Sequence, residues 1–289
     1  MDIVGHTNVR EHLNRMVALS VAPQSFLFSG PQRLGKFRVA YDFARKLSGG
    51  EKAGMDTNED ILVIGRQSGN GIDEVSQPTA LSVADIRQAE VFLSRFPRIG
   101  THRVLIIDEA DRLTVSAANA LLKVLEEPNS SSVIILVTHL PGKLLPTVRS
   151  RLFTLSFDLL SGDELGASFP NTKMPDFFFS LGLPGLVIEA IRHPSAFEEY
   201  KELLSGLFGL SGLIWTERLS LAERLADQAE SLPGILELWI IGLERQWSRQ
   251  SMSSLAFALF LESALETLDQ ISTREGNPRL LLEKLFTQA

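Results

Sequence analysis

The sequence contains no cysteine. That excludes a disulfide scaffold, a cysteine nucleophile, an iron–sulfur cluster and any zinc site built on thiolates. No uninterrupted apolar run approaches the roughly 18 residues that a membrane helix needs, so no membrane partner is expected. The opening stretch, MDIVGHTNVREHL, lacks the basic start and apolar core of a secretory signal. Together these gaps favour a soluble, cytoplasmic protein. Positive charge is also scarce: 28 Lys and Arg face 35 Asp and Glu, for a formal charge of −7. Such a balance argues against a protein that grips nucleic acid on its own. The deficit is uneven, with +2 over residues 1–157 and −9 over residues 158–289. Apolar residues are plentiful at 44%, enough for buried cores in a chain of 289 residues long enough for more than one domain.

Patterning divides the chain at the same place. Apolar runs at Ser25–Ser29, Ile61–Ile64, Val104–Ile107, Val133–Val137 and Leu152–Phe157 read as strands. Helical spacing covers Phe37–Leu47, Val83–Phe96 and Val115–Glu127, with Ser82 as an N-cap, Asp85 in the first turn that follows and Pro128 as a stop. Gly49–Asn58 and Gly65–Thr79 read as loops. Strands without polar alternation, separated by helices, predict a parallel sheet covered on both faces. Beyond Phe157 the β-branched runs disappear and helix-length periodicity takes over. From about Phe197 it continues with short breaks at Gly209–Gly212 and Leu232–Gly234, the pattern of an antiparallel bundle. Trp215, Trp239 and Trp247 are expected to pack in that bundle rather than to stack on bases.

Three constellations carry chemistry. Gly30-Pro-Gln-Arg-Leu-Gly35-Lys36 matches G-x-x-x-x-G-K between a predicted strand and a predicted helix. In that context backbone N–H groups and the helix N-terminus cradle phosphate, and Lys36 reaches the outer phosphates. The next residue is ordinarily Ser or Thr, whose hydroxyl binds Mg²⁺; here it is Phe37. Either the metal site is weakened and hydrolysis lost, or Mg²⁺ is held through water and other ligands. The second constellation, VLIIDEAD, is an apolar strand ending in Asp108 and Glu109, suited to holding Mg²⁺ and polarising a water respectively. The third follows the strand Val133–Val137: Thr138, His139, and then Thr147-Val-Arg149-Ser150-Arg151. His6, His102, His139 and His193 have no metal-ligand spacing and read as surface or packing residues, and no metal site is expected.

At these residues the chain resembles the clamp-loader subunits of the AAA+ superfamily. The resemblance runs through Ile3–His6, GPQRLGKF, VLIIDEAD, AANALLKVLEEP at Ala117–Pro128, LVTHLPGKLLPTVRSRL at Leu136–Leu152, and NPRLLLEKLF at Asn277–Phe286. It implies an α/β AAA+ domain over 1–157, a small helical lid over 158–200 and a helical collar over 201–289. It further implies a hetero-pentameric loader within the DNA polymerase III holoenzyme, acting with the sliding clamp and primed DNA. ATP binding would involve Gly30, Gly35, Lys36, Asp108, Glu109 and Thr138, the last at the sensor position. Ser150 and Arg151 match the first two positions of the family's Ser-Arg-Cys motif, whose arginine acts on ATP bound by a neighbouring subunit; Arg149 is a nearby competitor and the third position is Leu152. Two departures accompany Phe37. The four-cysteine zinc module of many relatives is replaced by the short Ser48–Asn58, so no zinc is expected, and the second-sensor arginine is Leu186. The leading expectation is a finger-donating subunit without its own ATPase. An active motor subunit is the alternative, and a nucleotide-binding adaptor outside replication is a third reading.

Overall fold

The computed structural model describes residues 3–49, 58–65, 80–170, 172, 174, 176–228, 231–250 and 255–288. Most of the two expected loops, 50–57 and 66–79, lies outside the described residues. The chain forms two compact units, one of residues 1–160 with 183–185, the other of residues 161–182 with 186–289.

Among the described residues, the first unit is built on five parallel strands: β1 (Ser25–Ser29), β2 (Ile61–Ile64), β3 (Arg103–Ile107), β4 (Ser132–Thr138) and β5 (Phe153–Ser156), in the order β2-β3-β4-β1-β5. Its helices are α1 (Thr7–Leu19), α2 (Lys36–Leu47), α3 (Val83–Leu93), α4 (Val115–Glu126) and the one-turn α5 (Pro146–Arg149). Alternation along β1 explains why both faces are covered. Phe26 and Phe28 project to one side, where Phe26 meets Phe43 of α2 edge to face at 5.3 Å. Leu27 projects to the other, into a core with Leu105 of β3, Ile134 of β4, Ile86 of α3 and Leu121 of α4. Burial on both faces is why β1, β3 and β4 carry unbroken apolar runs.

Local signals set the helix ends. Ser82 and Asp85 form a reciprocal capping box: the Ser82 N–H donates to Asp85 at 2.7 Å, and the Asp85 N–H donates to the serine hydroxyl at 3.4 Å. α1 has no counterpart among the helices expected from the sequence. It buries only Leu13 and Met16, a stripe too narrow to stand out in a polar stretch.

One buried ion pair braces the approach to β3. Asp60 is fully buried and accepts backbone N–H bonds from Arg98 at 2.8 and 2.9 Å and from Ile99 at 2.7 Å. Arg103 Nε lies 3.6 Å from the same carboxylate, and its guanidinium donates to the carbonyls of Phe92 and Phe96.

The second unit is helical: α6 (Gly162–Ser168), α7 (Asp176–Ser180), α8 (Pro184–Arg192, whose first two residues belong to the first unit), α9 (Pro194–Phe208), α10 (Trp215–Asp227), α11 (Leu232–Gln250), α12 (Leu255–Ser272) and α13 (Pro278–Phe286). Its core gathers around Trp239, which meets Phe260 and Phe286 edge to face at 5.8 and 6.4 Å. Trp215 differs from expectation: it is 51% exposed at the start of α10. The side chain of Trp247 lies outside the described residues. The break expected at Leu232–Gly234 is the first turn of α11, where Pro233 costs no helical hydrogen bond. Asn277 caps α13 by accepting the Arg279 N–H at 2.9 Å.

Candidate functional site

The strand register brings three segments to one edge of the sheet. Ser29 pairs with Thr138 and Ile107 with Leu136, so the loop after β1, the acids after β3 and Thr138 all lie at the carboxyl ends of adjacent strands. Open parallel sheets bind ligands at this edge.

The loop from Gly30 to Gly35 depends on positive φ angles at Gly30 (145°), Arg33 (61°) and Gly35 (82°). At Gly30 a Cβ would lie 2.2 Å from the Phe157 carbonyl oxygen, so the strand packs where a side chain would stand. Gly30→Ala should therefore lower stability by roughly 1–3 kcal/mol, read as a drop in thermal unfolding temperature. At Gly35 a Cβ would meet nothing within 4 Å, which leaves room against the start of α2. The loop is anchored from outside: His6 Nε2 bonds the Leu34 carbonyl at 3.0 Å, and the Gly185 N–H donates to the Arg33 carbonyl at 2.8 Å. His6 is thus a packing residue, 8% exposed. Lys36 is buried, and its ammonium donates to the carbonyls of Gly30 and Pro31 at 2.7 and 2.5 Å. A glycine cradle, the uncapped N-terminus of α2 and a lysine folded along the loop fit a polyphosphate. Phe37, in contrast, is 8% exposed and stacks on Tyr41 with centroids 6.1 Å apart. A ring occupies the position from which a hydroxyl would address Mg²⁺.

After β3, Asp108 Oδ1 accepts the Glu109 N–H at 3.1 Å. Glu109 itself sits at φ 50° and forms an ion pair with Arg112, on the one-turn helix Ala110–Arg112 that follows. Thr138 is buried and donates to Asp111 at 2.5 Å. His139 stands beside both, with Nδ1 3.5 Å from Asp111 and Nε2 3.0 Å from the Gln32 amide nitrogen. Gln32 and Asp111 belong to this constellation without having been singled out by the sequence; the odd glutamine within the loop and the last acid of VLIIDEAD were the signals. Among the described residues no cluster of three His, Asp or Glu side chains could hold a metal ion.

Arg151 lies elsewhere. β5 runs parallel to β1, with Phe26 opposite Phe153 and Ser29 opposite Ser156. Arg151, two residues before β5, is therefore at the amino edge of the sheet, about 15 Å along the strand direction from the loop. It is exposed, and its Nη2 donates to Glu126 at the end of α4 at 2.6 Å while Nη1 donates to the Thr147 carbonyl at 2.8 Å. Ser150 donates to the same carbonyl at 3.0 Å. Leu186 is buried in α8, 1% exposed.

A five-stranded parallel sheet with a phosphate loop after β1 and an acidic pair after β3 defines the class: an AAA+-type P-loop module, joined here to a helical unit. Residues 5–161 match the sequence model of the family described as DNA polymerase III, delta subunit, and the chain belongs to that family. Among curated relatives, the delta' subunit of Bacillus subtilis is 36% identical over 143 residues, 47% of this chain and 42% of that protein. The tau subunit of the same organism is 32% identical over 179 residues, 57% of this chain and 30% of that protein. The delta' subunit of Pseudomonas aeruginosa is 30% identical over 135 residues, 44% of this chain and 40% of that protein. The chain thus spans less than half the length of each of these relatives. Among solved structures, a DNA polymerase III gamma subunit-related protein of Thermotoga maritima aligns with a TM-score of 0.48 and 19% identity, covering 96% of this chain and 97% of that one. No described helix is long and apolar enough to cross a membrane.

Proposed function

We propose that the chain is a delta-prime-like clamp-loader subunit in DNA replication. It would help a hetero-oligomeric, ATP-driven ring place a sliding clamp on primed DNA. Within that ring, Arg151 would act on ATP held by a neighbouring subunit. The observation that carries this reading is the position of Arg151. It is exposed at the sheet edge opposite the chain's own phosphate loop, beyond the reach of an arginine side chain, so a phosphate that it contacts belongs to another molecule. A guanidinium aimed at a transferring phosphoryl group stabilises its developing charge and can be supplied in trans.

The chain's own site supports nucleotide binding better than hydrolysis. Gly30, Gly35 and Lys36 would hold the phosphates, with Asp108, Glu109 and Thr138 at the neighbouring strand ends. Bound ATP would supply the phosphoryl group and its Mg²⁺. Phe37 offers that metal no oxygen, and Glu109 is engaged by Arg112. Residues 158–200 would form the lid and residues 201–289 the collar that joins subunits. The test is a loader reconstituted from this chain and its partner subunits. Arg151→Ala should depress DNA-stimulated ATPase and clamp loading; unaltered rates would overturn the reading. The isolated chain with Mg²⁺ and ATP should show no phosphate release above background. Release that disappears on Lys36→Ala would establish the active-motor alternative instead.

A further inference from the structure

Thr138 occupies the strand-end position that the family resemblance assigns to phosphate sensing, yet its hydroxyl is committed. A hydroxyl has one proton; this one goes to Asp111 at 2.5 Å, while the oxygen accepts the Leu140 N–H at 3.0 Å. The side chain that faces the phosphate loop from the end of β4 is the next one, His139. Its Nε2 is 3.0 Å from the amide nitrogen of Gln32, the third residue of the loop, and its Nδ1 is 3.5 Å from Asp111. The imidazole is 20% exposed and the carboxylate behind it 4%. An amide NH₂ can only donate, so the imidazole Nε2 accepts from Gln32 and the ring proton is on Nδ1, towards Asp111. The loop therefore faces a histidine nitrogen backed by a buried carboxylate. Of the charged groups at the same strand ends, Lys36 donates to the carbonyls of Gly30 and Pro31, Glu109 pairs with Arg112, and Asp108 accepts the Glu109 N–H.

We propose that His139 is the residue that reads the terminal phosphate of a nucleoside triphosphate on this loop. The phosphate displaces Gln32 from Nε2. The imidazole takes one proton from solvent and then donates from both nitrogens, to the phosphate and to Asp111. A neutral imidazole has one N–H and cannot serve both partners. No covalent bond changes. The inference rests on the reading that the loop binds nucleotide.

Calorimetry of the full chain with ATP and with ADP separates the possibilities. Titrations are run in two buffers of different ionisation enthalpy near pH 8, where histidine is ordinarily neutral. ATP binding is expected to take up a proton and ADP binding to take up less. His139→Ala is expected to weaken ATP by about tenfold, the scale of a hydrogen bond to a charged group, and to abolish the extra uptake. ADP affinity should change less than ATP affinity. His139→Gln, of similar reach but unable to titrate, should keep part of the affinity and none of the uptake. Gln32→Ala removes the competitor for Nε2 and should leave ATP binding as tight or tighter. ATP affinity and proton uptake unchanged in His139→Ala would overturn the proposal. So would equal losses for ATP and ADP, or a loss in Gln32→Ala as large as that in His139→Ala, because each marks a mere tether between loop and strand. An unaltered chain that binds neither nucleotide would instead overturn the nucleotide reading beneath it.

Discussion

A chain carrying Asp60→Ala should be less stable than the unaltered protein by about 3–5 kcal/mol, the cost of breaking a buried ion pair from one side. Asp60 has no exposed surface, and its two oxygens collect the N–H groups of Arg98 and Ile99 at 2.7–2.9 Å. Truncation would leave these donors without an acceptor and Arg103, itself 5% exposed, without its carboxylate. The guanidinium would keep its bonds to the carbonyls of Phe92 and Phe96 and its position 4.5 Å from the Phe92 ring centroid, so the charge would be trapped rather than released to water. Asp60→Asn retains one oxygen but turns an NH₂ towards donors, and should lose an intermediate amount. Urea unfolding measures both variants; full stability in the alanine variant would refute this account. The consequence reaches the candidate site, because the braced turn feeds β3, which leads to Asp108 and Glu109.

The centre of the sheet was readable in the sequence because β1, β3 and β4 are buried on both faces, whereas β5 is mostly exposed. SFLFS, ILVI, VLII and VIILV contain no polar alternation that a helix or a half-exposed strand would need. The phosphate loop was readable because glycines and lysine at fixed spacing serve one local geometry. α1 escaped because its buried stripe is two side chains wide. The helix start at Leu232 was read as a break because proline and glycine signal an interruption in general, whereas a first turn tolerates them. The tryptophans divide for a similar reason: helical spacing places Trp239 inside and cannot say that Trp215 is at an exposed first turn. The partners of Asp60, Asp111 and His139 were illegible for a different reason. Each acquires its role from a partner distant in sequence: Asp60 from Arg98, Asp111 from Thr138, His139 from Gln32 across 107 positions. Pairings of that kind follow from strand order and have no signature in a local window.

The variant with the largest expected functional effect is Arg151→Ala. In a reconstituted loader, hydrolysis at the site next to this subunit should fall by a factor on the order of 10³, the lower end of what an arginine finger contributes, while other sites turn over as before. Single-turnover phosphate release, with partner subunits inactivated in turn at their own phosphate loops, isolates that site. Arg151→Lys should recover little, because a lysine replaces a planar fork by a point charge. The surroundings of Arg151 predict which controls stay quiet. Its pair with Glu126 is exposed, with 36% and 51% of the two side chains open to solvent, so Glu126→Gln should change stability by no more than about 1 kcal/mol. Three bonds to its own chain, from Nη1 to Thr147 and Ser150 and from Nη2 to Glu126, leave further N–H groups of the five on a guanidinium for a phosphate. Arg149, also exposed but at the end of α5, provides the internal comparison. If Arg149→Ala abolished hydrolysis and Arg151→Ala did not, the finger would be reassigned by two residues while the in-trans geometry stood. If neither variant changed single-turnover release, the amino edge of the sheet would have no part in a neighbour's chemistry.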